Sequence, residues 1–532
     1  MAHPTWFPDP HVPTSEECDL GRVLRDRALV DPTGPFATFA DNTAWDNQAA
    51  LAVASATADS LAAAGVGAGD RVVILLPNSA AFVRLYLGAT LIQALPVPIH
   101  VAMRGTLLKN ALELVKPKLI VTHSELAHVV ASCGEAIGSL VLEIDKTDLL
   151  DRPGAHAAPP AGEPPAAWTL TCLLLTSGTT GGTKAVRVRN GQLWSVGRAH
   201  FGFLRPADRI MITTPMCHIG PLSAFAGAMI QRASMVILET FKTETFWADI
   251  RRFGVTAIPG LGPSLLHFLN SAPDTPDATD NALRIVNVTA IGEEARRFAK
   301  RFGVAIFSSF GMTEISVAML SPVNSEKDGS CGRPRDGIEV RLVDENDIEV
   351  PVGQIGEITL RARDPWVLSD GYEANPVATL ASWRNGWFHT GDLARRDEDG
   401  DFYFADRLKD VIRRRGENIS STELEREARL HPKVREAAAV GVASEHGDQD
   451  VMLVVSELPG ETLDPQELFE FMAARLPQFM APRFVRILEE LPKTPSSKVI
   501  KGPLKEAAVV AGAWDRTAAG LRVAAGRLGS IT

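Results

Sequence analysis

Leu173–Lys184 reads LLLTSGTTGGTK. Three leucines make a strand-like apolar run, and the chain then turns abruptly to hydroxyls and glycines and ends on a lysine. Gly178, Gly181 and Gly182 let backbone approach a ligand and turn its N–H groups toward an anion. Thr176, Ser177, Thr179, Thr180 and Thr183 add hydroxyl donors, and Lys184 adds a full positive charge. The combination is a cradle for a polyphosphate.

Two other readings fit less well. The phosphate loop G-x-x-x-x-G-K-[ST], started at Gly178, needs glycine at 183 and serine or threonine at 185. Thr183 and Ala185 stand there instead. A flexible Ser/Thr/Gly linker would not follow a buried strand, nor run on through Lys184 into the apolar alternation of Val186 and Val188.

A length of 532 residues predicts more than one domain, since single cores rarely grow past roughly 250–300 residues. With 45% hydrophobic and 22% charged residues, the composition is that of a soluble globular protein. A net charge of −10 argues against nonspecific binding to nucleic acid or anionic membranes. No apolar run reaches the ~20 residues of a membrane span, and MAHPTWFPDP lacks the basic start and apolar core of a signal peptide. Cys18, Cys133, Cys172, Cys217 and Cys331 are odd in number and scattered, so neither a disulfide framework nor a zinc site is expected. The expected location is cytoplasmic.

Along the chain, Trp45–Ala64 has helical spacing with Gly65 at its stop. Arg71–Leu76, Pro96–Ile99, Lys118–Thr122 and Val141–Ile144 read as strands, with helices capped by Ser79 and starting near Ser124. Asp151–Ala167 is proline-rich and reads as a surface loop. Beyond Lys184, Arg209–Thr213, Ala233–Leu238, Val255–Ile258 and Arg284–Thr289 continue the alternation. The fold class is α/β: mostly parallel sheets covered on both faces. Ile338–Val343 and Gly356–Arg361 alternate with turns, as in an antiparallel, barrel-like subdomain. Past Arg415 the pattern becomes small α+β.

Four further stretches carry chemistry. Phe310-Gly311-Met312-Thr313-Glu314 follows a predicted strand, Val304–Phe307. Its ring, tight turn, hydroxyl and carboxylate suit base stacking and one oxygen ligand to Mg²⁺. Alone it reads more readily as a strand-to-loop turn than as a site. Trp387–Asp392 (WFHTGD) reads as a second such turn, with a carboxylate for ribose hydroxyls or a capping aspartate. Asp406–Asn418 (DRLKDVIRRRGEN) is a charge run, by default a solvated face, yet it coincides with the change of rhythm and so suits a hinge. Pro492–Lys498 (PKTPSSK) is a polar loop ending on a lysine. His218, in PMCHIG, has no second ligand at metal spacing, so no metal site made of protein residues alone is expected.

Together, and in this order, these stretches resemble the adenylate-forming superfamily of acyl-CoA synthetases, nonribosomal adenylation domains and luciferases. The similarity spans about Leu173 to Lys501, and RRRGENISS (Arg413–Ser421) with the run from Gly292 to Glu314 looks most like the crotonobetaine/carnitine-CoA ligase group. The resemblance implies a large N-terminal domain of two α/β sheets plus a β-barrel subdomain (1–406), a hinge at 407–410 and a small mobile α+β domain (411–532). It implies two steps: a carboxylate attacks the α-phosphorus of ATP to give an acyl-adenylate and pyrophosphate, and a thiol, usually that of CoA, then takes the acyl group. No protein nucleophile is needed.

Matched residue by residue, Thr176, Ser177, Gly178, Thr179, Thr180, Gly181 and Lys184 would grip the β- and γ-phosphates. Phe310 would stack on adenine beside Gly311 and Met312, Thr313 would touch the α-phosphate, and Glu314 would hold Mg²⁺. Asp392 with Arg407 would bind the ribose. Lys498 would bridge the carboxylate and the α-phosphate, Lys409 would be the hinge, and Gly416 would line the thiol tunnel. His218, Ile219 and Met312 would line the acyl pocket. Departures from the family pattern are Thr183 and Ala185 around Lys184, Arg189-Asn190 for a usual Thr-His, Phe310 for tyrosine, Ser497 for glycine and Lys501 for arginine. Rival expectations are transfer to a carrier-protein phosphopantetheine or a non-thiol nucleophile, and a nucleotide-binding regulator without turnover. The acyl group and the oligomeric state are not legible.

Overall fold

The computed structural model describes residues 12–134, 139–144, 165–177, 183–271, 280–289, 291–414, 417–444, 449–476, 480–494 and 498–521. The chain packs into two compact units. The first comprises Met1–Val340, Thr359–His389 and Asp399–Tyr403; the second comprises Arg341–Ile358, Thr390–Glu398 and Phe404–Thr532.

In the first unit, the strands run side by side in the order Ser330–Pro334, Ser316–Leu320, Ala305–Met312, Ile285–Val288, Ala257–Leu261, Arg209–Ile212, Ser234–Ile237, Pro35–Phe39, Ala44–Asp46. The stretch from Ala305–Met312 to Pro35–Phe39 is parallel, and both ends turn antiparallel. A second sheet is wholly parallel, ordered Leu95–Pro98, Arg71–Leu75, Leu119–Thr122, Leu140–Glu143. The predicted strands of these two sheets form, with ends shifted by at most three residues except at the strand predicted to end at Phe307. Asp46 and Ser79 cap the helices Asn47–Ala63 and Ala80–Leu91 by accepting from Ala49 and Phe82 N–H groups. These two helices meet closely at Gly88, where a Cβ would lie 2.8 Å from the Thr57 methyl.

The apolar run before the glycine-rich loop is one arm of a hairpin. Leu170–Ser177 pairs antiparallel with Thr183–Arg189, and Thr176 faces Lys184. Leu173 and Ala185 join the core of the parallel four-stranded sheet. Cys172, Leu174, Val186 and Val188 join the larger central core. Both faces are therefore buried, which is why the sequence shows a continuous apolar run rather than an alternation.

Two local expectations change. The strand predicted to end at Phe307 continues as Ala305–Met312, so FGMTE straddles a hairpin turn instead of following a strand. The WFHTGD stretch lies inside the strand Trp387–Arg396, not in a turn, and Asp392 caps no helix.

In the second unit, Val434–Ala443 and Gln449–Glu457 pair antiparallel, joined by Phe484–Ile487 and Trp514–Asp515. Alternate residues face opposite ways. Ala437, Ala439, Leu453 and Val455 pack with Leu424 and Leu468 from the helices Ser421–Ala428 and Pro465–Ala473. Ala438, Val440, Met452 and Val454 pack with Leu491 and Leu504. Among the described residues no helix is long and apolar enough to cross a membrane.

Candidate active site

In the first unit the hairpin register sets Thr176 opposite Lys184, one pair before the end where the chain connects the two arms. Gly178, Thr179, Thr180 and Gly181, with the side chain of Ser177, lie outside the described residues. The Lys184 ammonium sits 4.6 Å from the centre of the Tyr372 ring. The Tyr372 hydroxyl donates to Glu314 Oε1 at 2.7 Å. Glu314 is buried, at 6% exposure, and a buried carboxylate needs such a partner. Burial first, and then the Glu314 carboxylate, push the Tyr372 phenol well above its ordinary pKa. The tyrosine thus stays a donor at physiological pH.

Thr313 is held through its carbonyl. The buried Gln192 donates from Nε2 to Thr313 O at 2.9 Å and to Ser316 Oγ at 3.0 Å. Ser316 has φ +53°, a conformation costly for a residue with a Cβ. A Cβ on Gly311 would stand 1.9 Å from the Ser316 carbonyl oxygen, so only glycine fits this turn. Phe310 is largely buried in its strand and pairs with Met319, while Met312 pairs with Ser316.

His218 precedes the helix Ile219–Ile230, with Ile219 as its first residue. Its ring is 5.9 Å from that of His100. Burial, and then Arg104, lower the His100 pKa. Asn78 holds the approach to His218: it donates to Thr214 O and Leu238 O and accepts from Met216 N–H at 2.9 Å.

In the second unit Asp392 is buried and pairs with Arg407 Nε at 3.2 Å. The Thr390 hydroxyl accepts from Asp392 N–H and donates to Ile358 O. Gly391, with φ +71°, receives Leu408 N–H on its carbonyl. The Lys498 carbonyl accepts from Thr494 N–H at 2.7 Å, and Pro492 O accepts from Ile500 N–H at 2.7 Å. Lys498 as a whole is exposed. Protein packed around its ammonium, followed by Arg407, still lowers its pKa, with Asp392 opposing. The unit thus brings Asp392, Arg407 and Lys498 within electrostatic reach of one another. Lys409 stands in the turn after Phe402–Arg407 and is exposed. Partial desolvation of its ammonium, with Arg407, Lys501 and Lys505, lowers its pKa against Asp410. Lys501 is itself tied to Glu425 and Ser421, each at 2.6 Å. Gly416 and Ser497 lie outside the described residues.

Among the described residues, no cluster of three or more His, Cys, Asp or Glu side chains could hold a metal ion. Glu314 suits a cation brought by a nucleotide: one oxygen is fixed by Tyr372, and no described donor pairs with the other. Mg²⁺ commonly takes one or two carboxylates and completes its shell with phosphate oxygens and water.

The profile of the AMP-binding enzyme family matches residues 25–372, and that of the AMP-binding enzyme C-terminal domain matches 423–498. The chain belongs to the AMP-binding enzyme family. As a member it is an ATP-dependent, AMP-forming ligase that activates a carboxylic acid. It is 31% identical over 493 residues to the sulfoacetate–CoA ligase of Cupriavidus necator, covering 90% of this chain and 96% of the relative. The crotonobetaine/carnitine–CoA ligase of Citrobacter koseri is 30% identical over 474 residues, covering 84% and 90%. Among solved structures, ATP-bound MatB from Rhodopseudomonas palustris superposes with a TM-score of 0.83 at 25% identity, covering 93% of this chain and 99% of that one.

Gln192, Tyr372 and Asn78 contact or neighbour the candidate site residues without belonging to any stretch singled out in the sequence. Tyrosine is scarce here, with three in the chain, and Gly371-Tyr372 follows a turn; that rarity is the one signal that could have marked Tyr372.

Proposed function

We propose that this enzyme is an acyl-CoA ligase. The observation that carries the reading is the run Lys184–Tyr372–Glu314: a cation, a bridging phenol and a carboxylate with one oxygen that no described donor takes, set beside a glycine-rich stretch. In the first step a carboxylate oxygen attacks the α-phosphorus and pyrophosphate leaves. In the second the CoA thiol attacks the acyl carbon and AMP leaves. Two similar relatives are named CoA ligases, which favours CoA over a carrier protein or a non-thiol acceptor.

In this reading the hairpin tip and Lys184 hold the β- and γ-phosphates, Thr313 touches the α-phosphate, and Phe310 flanks adenine. Asp392, oriented by Arg407, takes the ribose hydroxyls. Lys498 places its point charge between the carboxylate and the α-phosphate, where negative charge gathers. Mg²⁺, bound by Glu314, would neutralise charge on the phosphate oxygens. His218, Ile219 and Met312 shape the acyl pocket. The division at 406, a hinge at Lys409 and a thiol tunnel at Gly416 complete the proposal, with the domain beyond 411 turning between the half-reactions. The cytosol supplies ATP and CoA and suits the chain's thiols.

The test is pyrophosphate release from ATP across aliphatic, aromatic, amino, sulfonated and betaine carboxylic acids, with and without CoA. Substrate-dependent release that turns over repeatedly only with CoA is the expected result. Release indifferent to CoA overturns the acceptor, and no release with any acid overturns the reading.

A further inference from the structure

Tyr372 is held from every side. Its backbone lies against the second arm of the phosphate hairpin: Arg187 N–H donates to Gly371 O at 3.0 Å, Glu373 N–H donates to Ala185 O at 2.8 Å, and Val186 bridges Tyr372. The Thr379 hydroxyl accepts from Tyr372 N–H at 2.9 Å. Gly371 adopts φ +120°, and a Cβ there would meet Thr379 at 2.3 Å. On either side the acids are ion-paired. Glu373 takes Arg71 and Arg187, each at 2.6 Å. Asp370 takes Arg187 at 3.2 Å and also Arg189, whose guanidinium lies 5.0 Å from the centre of the Trp366 ring. The family departure at Arg189 thus adds a further tie between this segment and the hairpin.

A merely buried tyrosine needs none of this; one polar partner for its hydroxyl would suffice. Here the ring faces the one lysine of the phosphate hairpin while the hydroxyl meets the carboxylate of a different hairpin, 58 residues away in sequence. The O–H···O⁻ bond is charge-assisted and directional. It occupies one carboxylate oxygen and so orients the other.

We propose that Tyr372 is a positioning residue that couples two groups of the nucleotide site: its hydroxyl aims the Glu314 carboxylate at the cation accompanying ATP, and its ring holds the Lys184 ammonium toward the triphosphate. The inference rests on the nucleotide-site reading above. It assigns the hydroxyl to metal-dependent steps and the ring to nucleotide binding itself, so the two parts separate by variant.

The experiment compares the full-length wild type with Tyr372→Phe, Tyr372→Leu, Glu314→Gln and the double variant Y372F/E314Q. ATP affinity is measured by calorimetry with EDTA and with Mg²⁺, alongside melting temperature and the Mg²⁺ dependence of pyrophosphate release. Tyr372→Phe is expected to leave metal-free ATP affinity and melting temperature near wild type. It should weaken the Mg²⁺-dependent gain in ATP affinity, and lower pyrophosphate release at limiting Mg²⁺, by about 10–100-fold, the range for losing a group that orients a metal ligand. Tyr372→Leu should in addition weaken metal-free ATP binding by about threefold through the lost cation–π contact. In the Glu314→Gln background the Phe substitution should add little, because residues acting as a unit are not additive. An unchanged Mg²⁺ requirement in Tyr372→Phe, or full additivity with Glu314→Gln, overturns the proposal. So does a matching loss of stability and of every binding readout. If no acid supports turnover in the wild type, the acyl-CoA ligase reading fails, while the two calorimetric titrations still decide the role of Tyr372. A wild type that binds no ATP overturns both.

Discussion

The phosphate hairpin and the Lys498 loop both carry a lysine assigned to the same nucleotide, yet they are built in opposite ways. Lys184 sits on a hairpin buried on both faces, beside a segment tied by Arg71, Arg187, Glu373 and Asp370. Lys498 is itself exposed and tied locally by a few hydrogen bonds, and its neighbours Arg407 and Asp392 act on it through charge. The contrast has a physical sense. A group that must hold the triphosphate through both half-reactions gains from being over-determined, because preorganised charge needs no rearrangement during the reaction. A group needed in one half-reaction must be able to leave, and long-range charge can guide it without fixing it.

The sharpest way to break this comparison is Lys498→Ala. Removing a charge needed chiefly in the transition state should cut adenylation by about 10²–10³-fold, with ATP affinity by calorimetry close to wild type. Normal pyrophosphate release in that variant would end the role given to Lys498.

Lys409→Pro asks whether the second unit turns. Among the described residues no hydrogen bond uses the Lys409 N–H, so proline removes none of those contacts, but it fixes one backbone torsion. Adenylation, followed by pyrophosphate release, should survive while thioester formation, followed in single-turnover experiments, slows. Equal loss of both steps would count against a hinge.

A pH profile sharpens the electrostatic half. Lys498 must be protonated to stabilise the developing charge, and its pKa is lowered by burial and Arg407. Adenylation should therefore fall on the alkaline side at a lower pH than an ordinary lysine would give, and Lys498→Arg should move that limb beyond the measurable range. A limb that stays in place in the arginine variant would assign it to another group.

The smallest effect is expected on the rigid side. Asp370 is partly exposed and is one of several ties, so Asp370→Asn should cost no more than about 1 kcal/mol in urea unfolding. Little change in the KM for ATP is expected, because the pairs of Glu373 remain. A large rise in that KM would mean the segment is held by Asp370 rather than by redundancy.

Much of this was legible in the chain itself. The strands Arg71–Leu75 and Ser234–Ile237, the Ser79 cap and the two-domain α/β plan follow from periodicity and capping, which act over a few residues. The glycine-rich stretch announced an anion site because glycines, hydroxyls and a lysine have that chemistry wherever they lie. The reading of WFHTGD as a turn failed because its glycine and polar residues look like turn chemistry. Pairing with neighbouring strands overrode that local preference.

What sequence alone determined, then, is the inventory: which residues can hold phosphate, cation and ribose, in what order, on what class of fold. Tertiary structure decided which of them are held, and by what. Tyr372 meets Glu314 across 58 residues, Gln192 meets Thr313 across 121, and Glu373 meets Arg187 across 186. No local pattern encodes such pairs. They exist because packing of the sheets brings distant backbone together, and a hydrogen bond or ion pair then depends only on distance in space.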